Sequence, residues 1–495
     1  MQERQGWRFD NTYARLPERF YARLSPTPVS QPRVVVNNRQ LAAELGLPLA
    51  DLSEDDLAQL FAGNRLPDGA EPIAQAYSGH QFGYFTQLGD GRAHLIGEHL
   101  TPGGERVDIQ FKGSGRTPFG RGGDGRAALG PMLREYLISE AMHTLGIATT
   151  RSLAVVTTGE EVYRESVLPG AILTRTAASH LRVGTFEHLA AQRDNSGLQQ
   201  LADYAIARHY PPLQHSDQPY LELIKAVMEK QISLVVDWLR VGFIHGVMNT
   251  DNMTISGETI DYGPCAFMDE YDPATVFSSI DHAGRYAYGN QPYIVKWNLT
   301  RLAEALLPLL HDDVEEAATR AGEMIDSFDA LFHQARLAML RSKLGLFGER
   351  PEDESLADEL LDMMQRQRAD YTNTFRDLIA DTPTGNEFFQ TEEMQNWWER
   401  WQQRLELNDR PRESAFSLMR ASNPAVIPRN HRVEAALSAA EAQADYSRFF
   451  SLLDVLAEPY ADEPTRPLQS AAEDYEDYRQ PPEPGERVRQ TFCGT

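Results

Sequence analysis

The stretch His245-Gly-Val-Met-Asn-Thr-Asp-Asn252, with Asp261-Tyr-Gly263 beginning nine residues beyond Asn252, decides how this chain is read. It places a histidine, amides and carboxylates in two short glycine-containing loops, directly after a run from Leu221 to Leu239 whose apolar residues repeat at helical spacing. Val247 stands among these polar groups with a side chain that cannot accept a proton. Any chemistry here has to find its base elsewhere in the loop.

Protein kinases carry a His-Arg-Asp loop, an Asn five residues after that Asp, and then Asp-Phe-Gly, in which the Asn and the second Asp hold magnesium. In this order Val247 replaces the catalytic Asp, while Asn252 and Asp261 keep the metal positions. The chain is thus either a kinase without its base or a kinase-type metal site put to other chemistry. The remaining parts lie upstream in kinase order. In Gln87-Leu-Gly-Asp-Gly-Arg92, Gly89 and Gly91 allow backbone N–H groups to approach phosphate and Arg92 adds a cation, although the string also reads as an ordinary hairpin turn. Lys112 closes the alternating run Val107-Asp-Ile-Gln-Phe-Lys112 as the lysine of a kinase third strand does, or is a solvated strand end. Glu135, one turn into a helix expected from about Pro131 to Leu145, is placed to pair with Lys112 or to sit exposed near the helix N-terminus. The segment Gly113 to Gly125 is too glycine-rich for a mere connection, and Asp124 and Gly125 at its end are candidate nucleotide contacts. Arg175 and Arg182 flank Ala177-Ala-Ser-His180 at the expected hinge and its approach, as surface charges or as cations for a triphosphate.

Composition sets the outer limits. The chain has 495 residues, 41% apolar and 24% charged, which suits an ordinary globular protein with more than one core. A net charge of -25 opposes nonspecific binding to nucleic acid. The absence of an apolar leader or an 18-residue apolar stretch gives the expectation of a cytoplasmic protein without membrane attachment. Cys265 and Cys493 are too few for a disulfide framework.

The expected architecture is α+β, a protein-kinase-like bilobal fold with a β-rich small lobe, one key helix and a helical large lobe, extended at both ends. Residues 1–75 read as an N-terminal wrapping segment interrupted by prolines, and 76–185 as the small lobe, with short strands at Ala93–Gly97, Val107–Lys112, Ser152–Thr157 and, across a Thr-Gly-Glu turn, Glu161–Glu165. Residues 186–457 read as the helical large lobe, with helical runs at Leu299–Leu344, Leu356–Leu378 and Glu392–Leu407. Residues 458–495 read as an extended tail rich in acidic residues and proline.

Wider strings add a family. Tyr77-Ser-Gly-His-Gln-Phe-Gly83, Lys112-Gly-Ser-Gly, Asp124-Gly-Arg-Ala, Arg134-Glu-Tyr-Leu-Ile-Ser-Glu-Ala-Met142, Asp251-Asn-Met253, Ile260-Asp-Tyr-Gly-Pro264 and Asn423-Pro-Ala-Val-Ile-Pro-Arg-Asn-His431 resemble the selenoprotein O family, from about Trp7 to Thr495. The resemblance implies a kinase-like fold that binds ATP in a flipped orientation and transfers AMP to Ser, Thr or Tyr hydroxyls of proteins, itself included. UMP from UTP with Mn²⁺ is a variant of the same reading. It implies Lys112, Arg175 and Arg182 as phosphate ligands, with Gly89, Gly91, Arg92, Asp124 and Gly125 completing the nucleotide pocket. Glu135 orients Lys112, Asn252 and Asp261 hold Mg²⁺ or Mn²⁺, and Asp251 accepts the proton that position 247 cannot. The hinge departs from the family in reading Ser179-His-Leu-Arg182 where aromatic residues are expected. The family carries Cys or selenocysteine near its C-terminus, so Cys493 reads as an ordinary thiol at that position and as a candidate redox partner of Cys265. The alternatives are a noncatalytic ATP-binding scaffold and an atypical protein kinase.

Overall fold

Alternation along each strand decides which residues reach the cleft. In the computed structural model, which describes residues 6–380, 387–463, 465 and 474–492, the strands are β1 (Tyr21–Arg23), β2 (Arg33–Asn37), β3 (Ile73–Gln75), β4 (Ser78–Gln81), β5 (Tyr84–Gln87), β6 (Ala93–Leu100), β7 (Arg106–Lys112), β8 (Ala127–Ala128), β9 (Arg151–Tyr163) and β10 (Val167–Ala177). An antiparallel sheet runs β1-β3-β6-β7-β10-β9-β2, with β8 against β10, and β4 and β5 form a separate hairpin. Ile96, Ile109, Phe111, Val156 and Ile172 face one side, where they pack with Leu41 of α1 (Arg39–Glu44) and with Leu57 and Phe61 of α2 (Glu54–Phe61). Leu95, Val155 and Leu173 face the other side, toward α3 (Leu129–Thr144). Lys112 is opposite Leu173 and Arg175 is opposite Gln110, so the period of two puts Gln110, Lys112 and Arg175 on the α3 side. The first 75 residues therefore contribute three strands and half of the sheet's cover.

The expected turn at Thr158-Gly159-Glu160 is corrected. The chain runs on through β9 to Tyr163 and reverses at Arg164–Ser166. Gly159, at φ +74°, lies beside a register shift in the β9–β10 ladder, so it accommodates a bulge and lets pairing continue from Val162 to Leu168.

Helix α3 is buried over most of its surface, and Arg134 and Glu135 are covered with its apolar residues. Two late helices, Asn430–Gln443 and Ser447–Leu456, close it off. The Gly130 N–H donates to Glu441 at 2.9 Å, Arg134 pairs with Glu434, and the Thr144 hydroxyl donates to the Leu456 carbonyl at 2.7 Å.

The helical half begins with α4 (Val183–Ala191), α5 (Asn195–His209) and α6 (Pro219–Val241). Pro219 suits the first turn of α6, and Gly242 at φ +74° ends it and turns the chain into the His245 loop. Strands β11 (Phe243–Ile244) and β12 (Ala266–Phe267) pair across the bases of the two loops. The run expected from Leu299 to Leu344 divides into α7 (Gln291–Leu310), α8 (Val314–Asp326) and α9 (Phe328–Lys343); the Asp313 side chain caps α8. The string Asn423 to His431 is a buried polar network: Arg429 reaches Asp269 at 2.6 Å and Asp370 at 2.8 Å, and Asn430 donates to the Phe267 carbonyl at 2.9 Å. In the tail, Tyr475–Arg479 is helical and Thr491 bridges to Ser278 in parallel register. Among the described residues no helix is long and apolar enough to cross a membrane.

Phe61 is fully buried between α2 and the sheet. Phe61→Ala is expected to cost about 3–5 kcal/mol of folding stability, read as a shift in the urea unfolding midpoint, because the N-terminal segment is part of the core.

Candidate active site

Four charged side chains meet on the α3 side of the sheet. The Lys112 ammonium lies 2.6 Å from Glu135 Oε2 and 2.6 Å from Asp261 Oδ1. Arg175 donates to Glu135 Oε1 at 2.9 Å, to Asp261 Oδ1 at 2.6 Å and, through Nε, to Gln110 at 2.8 Å. Each carboxylate thus touches both cations. Burial raises the Asp261 carboxyl, but Lys112, Arg175 and Arg182 together hold it well below the usual carboxylate range. Asp261 sits at φ +64°, a left-handed conformation that Asp tolerates and that costs on the order of 1–3 kcal/mol. The paired cations hold its Oδ1 in place.

A cleft of about 510 Å³ opens onto this group. Its walls include Gly89, Gly91, Arg92, Lys112, Asp124, Gly125, Glu135, Arg175, Val247, Asp251, Asn252 and Asp261, so the structure brings together all but one of the expected nucleotide, catalytic and metal residues. The exception is Arg182. It is buried behind Tyr77, with its guanidinium 4.2 Å over that ring and 3.9 Å from Asp90, off the cleft wall.

Gly89 and Gly91 lie between β5 and β6, outside any two-residue hairpin. A Cβ at Gly89 would overlap Phe119, and one at Gly91 would come within 3.3 Å of Gly120, so both glycines admit the folded-back Gly113–Gly125 loop. That loop is closed by a 3.0 Å bond from Gly115 N–H to the Gly125 carbonyl, and the Thr117 hydroxyl donates to the Asp90 carbonyl at 2.5 Å. Asp124 is held at the rim by Arg164 at 2.8 Å, which lowers its pKa.

In the loop that follows β11, His245 donates from Nε2 to the Ile260 carbonyl at 2.9 Å, tying this loop to the residue before Asp261. The Asn252 amide N donates to the Val247 carbonyl at 3.0 Å, leaving its Oδ1 as the group available to a ligand. Asp251 is 7% exposed, and burial pushes its carboxyl up to about 6. Its Oδ1 has no hydrogen-bond partner. The oxygen donors Asn252 and Asp261 fit a small hard cation that keeps water and phosphate oxygens as its other ligands. Sequence reasoning missed Tyr77, Asn249 and Gln110. Tyr77 and Asn249 lie within strings quoted above without a role of their own, and Gln110 stands two positions before Lys112 on the same strand face.

Cys265 is fully buried, next to the cleft residue Pro264. Cys493 lies outside the described residues.

The family described as protein adenylyltransferase SelO matches residues 4–457. The chain is 66% identical over 490 residues to protein nucleotidyltransferase YdiU of Nitrosococcus oceani, covering 99% of this chain and 98% of that protein. It is 59% identical over 490 residues to that of Syntrophotalea carbinolica, covering 99% and 98%, and 60% identical over 489 residues to that of Anoxybacillus flavithermus, covering 99% of each. The class is therefore that of the protein nucleotidyltransferases. The chain belongs to the SelO family of protein adenylyltransferases.

The segment joining β10 to α4 rests on a second buried charge group. Asp108 accepts from the His180 backbone N–H at 2.9 Å, from His180 Nδ1 at 3.0 Å and from Arg208 at 2.7 Å. Where aromatic residues were expected, the chain has a histidine that fits this carboxylate. Burial lowers the His180 pKa to about 4, against about 6.5 in an unfolded chain. As pH falls below 6.5 the unfolded chain takes up a proton that the folded chain refuses, so this stability is lost between about pH 6.5 and 4, up to about 3 kcal/mol. Urea midpoints at pH 7 and pH 4.5 are expected to show a smaller difference in His180→Gln than in the wild type.

Proposed function

We infer that the cleft works in a kinase-like bilobal frame with the nucleotide inverted, transferring AMP from ATP to Ser, Thr or Tyr hydroxyls of proteins, this chain among them. Residues 76–185 form its small lobe and 186–457 its large lobe, with 1–75 and 458–495 as extensions. The observation that carries this is the cleft itself. It joins the Lys112–Glu135–Arg175–Asp261 group to Asn252 and Asp251 while presenting the apolar Val247 where a kinase has its base.

In this reading, Lys112, Arg175 and Arg92 neutralise the triphosphate, and Arg182 adds a fixed positive charge from behind Tyr77. Glu135 holds Lys112 in place. The backbone around Gly89, Gly91 and Gly125 and the side chain of Asp124 border the nucleotide. Asn252 and Asp261 hold Mg²⁺ or Mn²⁺, which supplies charge neutralisation on the phosphates. The acceptor oxygen bonds to the α-phosphorus, the bond from that phosphorus to the α–β bridging oxygen breaks, and pyrophosphate leaves. Asp251 takes the hydroxyl proton. With a carboxyl pushed up to about 6, it is ionised at neutral pH and more basic than an ordinary aspartate.

Incubation with Mg²⁺ and ATP labelled at the α- or the γ-phosphate tests this. Acid-stable α-label is expected on protein, abolished by EDTA and lost in Asp251→Ala and Lys112→Ala. Label from the γ-phosphate alone would make the protein a kinase, and no label on the chain or on supplied acceptor proteins would leave a nucleotide-binding scaffold.

Cys265 and Cys493 are proposed as a redox pair between the tail and the segment after Asp261. What supports this is the Thr491 hydroxyl, which donates to the Pro264 carbonyl at 2.6 Å, beside Cys265 and two residues before Cys493. Oxidised protein is expected to be about 2 Da lighter than reduced protein by intact mass; equal masses would exclude the pair.

A further inference from the structure

The string Tyr77 to Gly83 is only partly explained by the nucleotide cleft. Its residues from Ser78 onward begin the β4–β5 hairpin, which pairs Ser78 with Gln87 and Gln81 with Tyr84 around Phe82-Gly83. Both turn residues have positive φ, Phe82 at +52° and Gly83 at +89°. A bulky residue in that conformation is strained and persists only where its surroundings fix it. Here the fixing comes from the catalytic loop. The Phe82 N–H donates to Asn249 Oδ1 at 3.0 Å, the same oxygen that accepts the Tyr286 hydroxyl at 2.6 Å, and the Phe82 and Tyr286 rings meet edge to face at 5.1 Å.

A second clamp holds the next residue of the loop. The His80 backbone N–H donates to the Thr250 hydroxyl at 2.7 Å, and that hydroxyl donates to Glu187 Oε2 on α4 at 2.5 Å. The His80 ring nitrogen Nδ1 bonds the other oxygen of Glu187 at 2.5 Å. Asn249 and Thr250, the two residues before Asp251, are thus both tied to this hairpin.

Close packing completes the arrangement. A Cβ at Gly79 would overlap the Asp251 carboxylate, and one at Gly184 of α4 would overlap the Ser78 carbonyl. Hairpin, helix and loop stack with two glycines at the contacts. His80, Glu187 and Thr250 do not line the cleft.

We propose that the Ser78–Gln87 hairpin is a positioning element of the catalytic loop, and that His80, Glu187 and Thr250 are positioning residues that fix where the Asp251 carboxylate faces the cleft. This rests on the reading of Asp251 as the proton acceptor. The hairpin acts through the loop backbone and by packing of Gly79 against the Asp251 carboxylate, while His80, Glu187 and Thr250 themselves act only through the loop. Its root therefore governs turnover, while the phosphate-binding residues govern nucleotide affinity.

The test uses the full chain, Mg²⁺ and α-labelled ATP, with label on the chain itself as the rate, a fluorescent ATP analogue for affinity and thermal unfolding as the control for folding. Thr250→Val keeps the shape and removes the hydroxyl. It is expected to lower kcat by roughly 10²-fold while nucleotide affinity stays within about twofold. Thr250→Ser restores the hydroxyl and is expected to return kcat to within about threefold of the wild type. Gly79→Ala removes no hydrogen bond, yet it is expected to lower kcat in the same way, since its methyl group displaces Asp251. Wild-type kcat in both Thr250→Val and Gly79→Ala would overturn the positioning role, as would a lowered unfolding temperature with an unchanged rate per folded molecule. A wild type that puts no α-label on itself or on supplied acceptor proteins, although it binds the analogue, would overturn the transfer reading itself and the positioning role with it.

Discussion

Two cations and two carboxylates, taken out of water together, hold this site. Lys112, Arg175, Glu135 and Asp261 form a closed set in which each charge meets both of its opposites, with one further donor bond from Arg175 to Gln110. Burying ions is costly, and a buried pair broken on one side leaves an uncompensated charge that costs several kcal/mol. These four side chains come from β7, β10, α3 and the loop after β11, so none of those elements can shift alone without exposing that cost. The left-handed backbone at Asp261 is held by the same contacts. The interaction contributes a fixed geometry more than net stability.

The rest of the molecule acts to keep those elements in place. In kinases the position of the helix bearing the glutamate is a point of control. In this chain α3, which carries Glu135, is bonded along its length by residues some 300 positions later in the chain, from Gly130–Glu441 to Thr144–Leu456. On the opposite face of the sheet, α1 and α2 bury Ile109 and Phe111, the residues that alternate with Gln110 and Lys112. The N-terminal segment and the late helices thus press on the site from two sides. A strand that loses either cover exposes a hydrophobic face, so they are coupled to the site through packing.

Within this frame the two loops carry different burdens. The Asp261 loop is fixed by charge. The Asp251 loop is fixed by neutral and partly charged hydrogen bonds to a strained hairpin, and its carboxylate is left with one oxygen unpartnered. A buried carboxylate without a full set of donors has a raised pKa, and a cation-paired one a lowered pKa. The two aspartates, ten residues apart in the chain, therefore diverge in basicity, the pattern expected when one takes a proton and the other stays an anion.

Much of this was legible in the residues. Alternation in Val107–Lys112 predicts which face Lys112 takes, the apolar repeat of α6 predicts the helix that feeds the His245 loop, and the order of Lys112, Glu135, Asn252 and Asp261 predicts the cleft. The β9 turn was misread because Gly159 serves a bulge as well as it serves a turn, and only the pairing partner distinguishes them. Arg182, which the resemblance implies as a phosphate ligand beside Lys112 and Arg175, stands behind Tyr77, a placement that order along the chain does not carry. The hairpin clamp on Asp251 was invisible, since it joins residues about 170 positions apart through backbone N–H groups that every residue possesses. The sequence by itself determined residue types, local periodicity and family, because these follow from side-chain chemistry and short-range backbone preference. Tertiary structure alone decided which charges are buried together and which glycines are contacts, because desolvation and van der Waals overlap depend on distances that only the folded chain has.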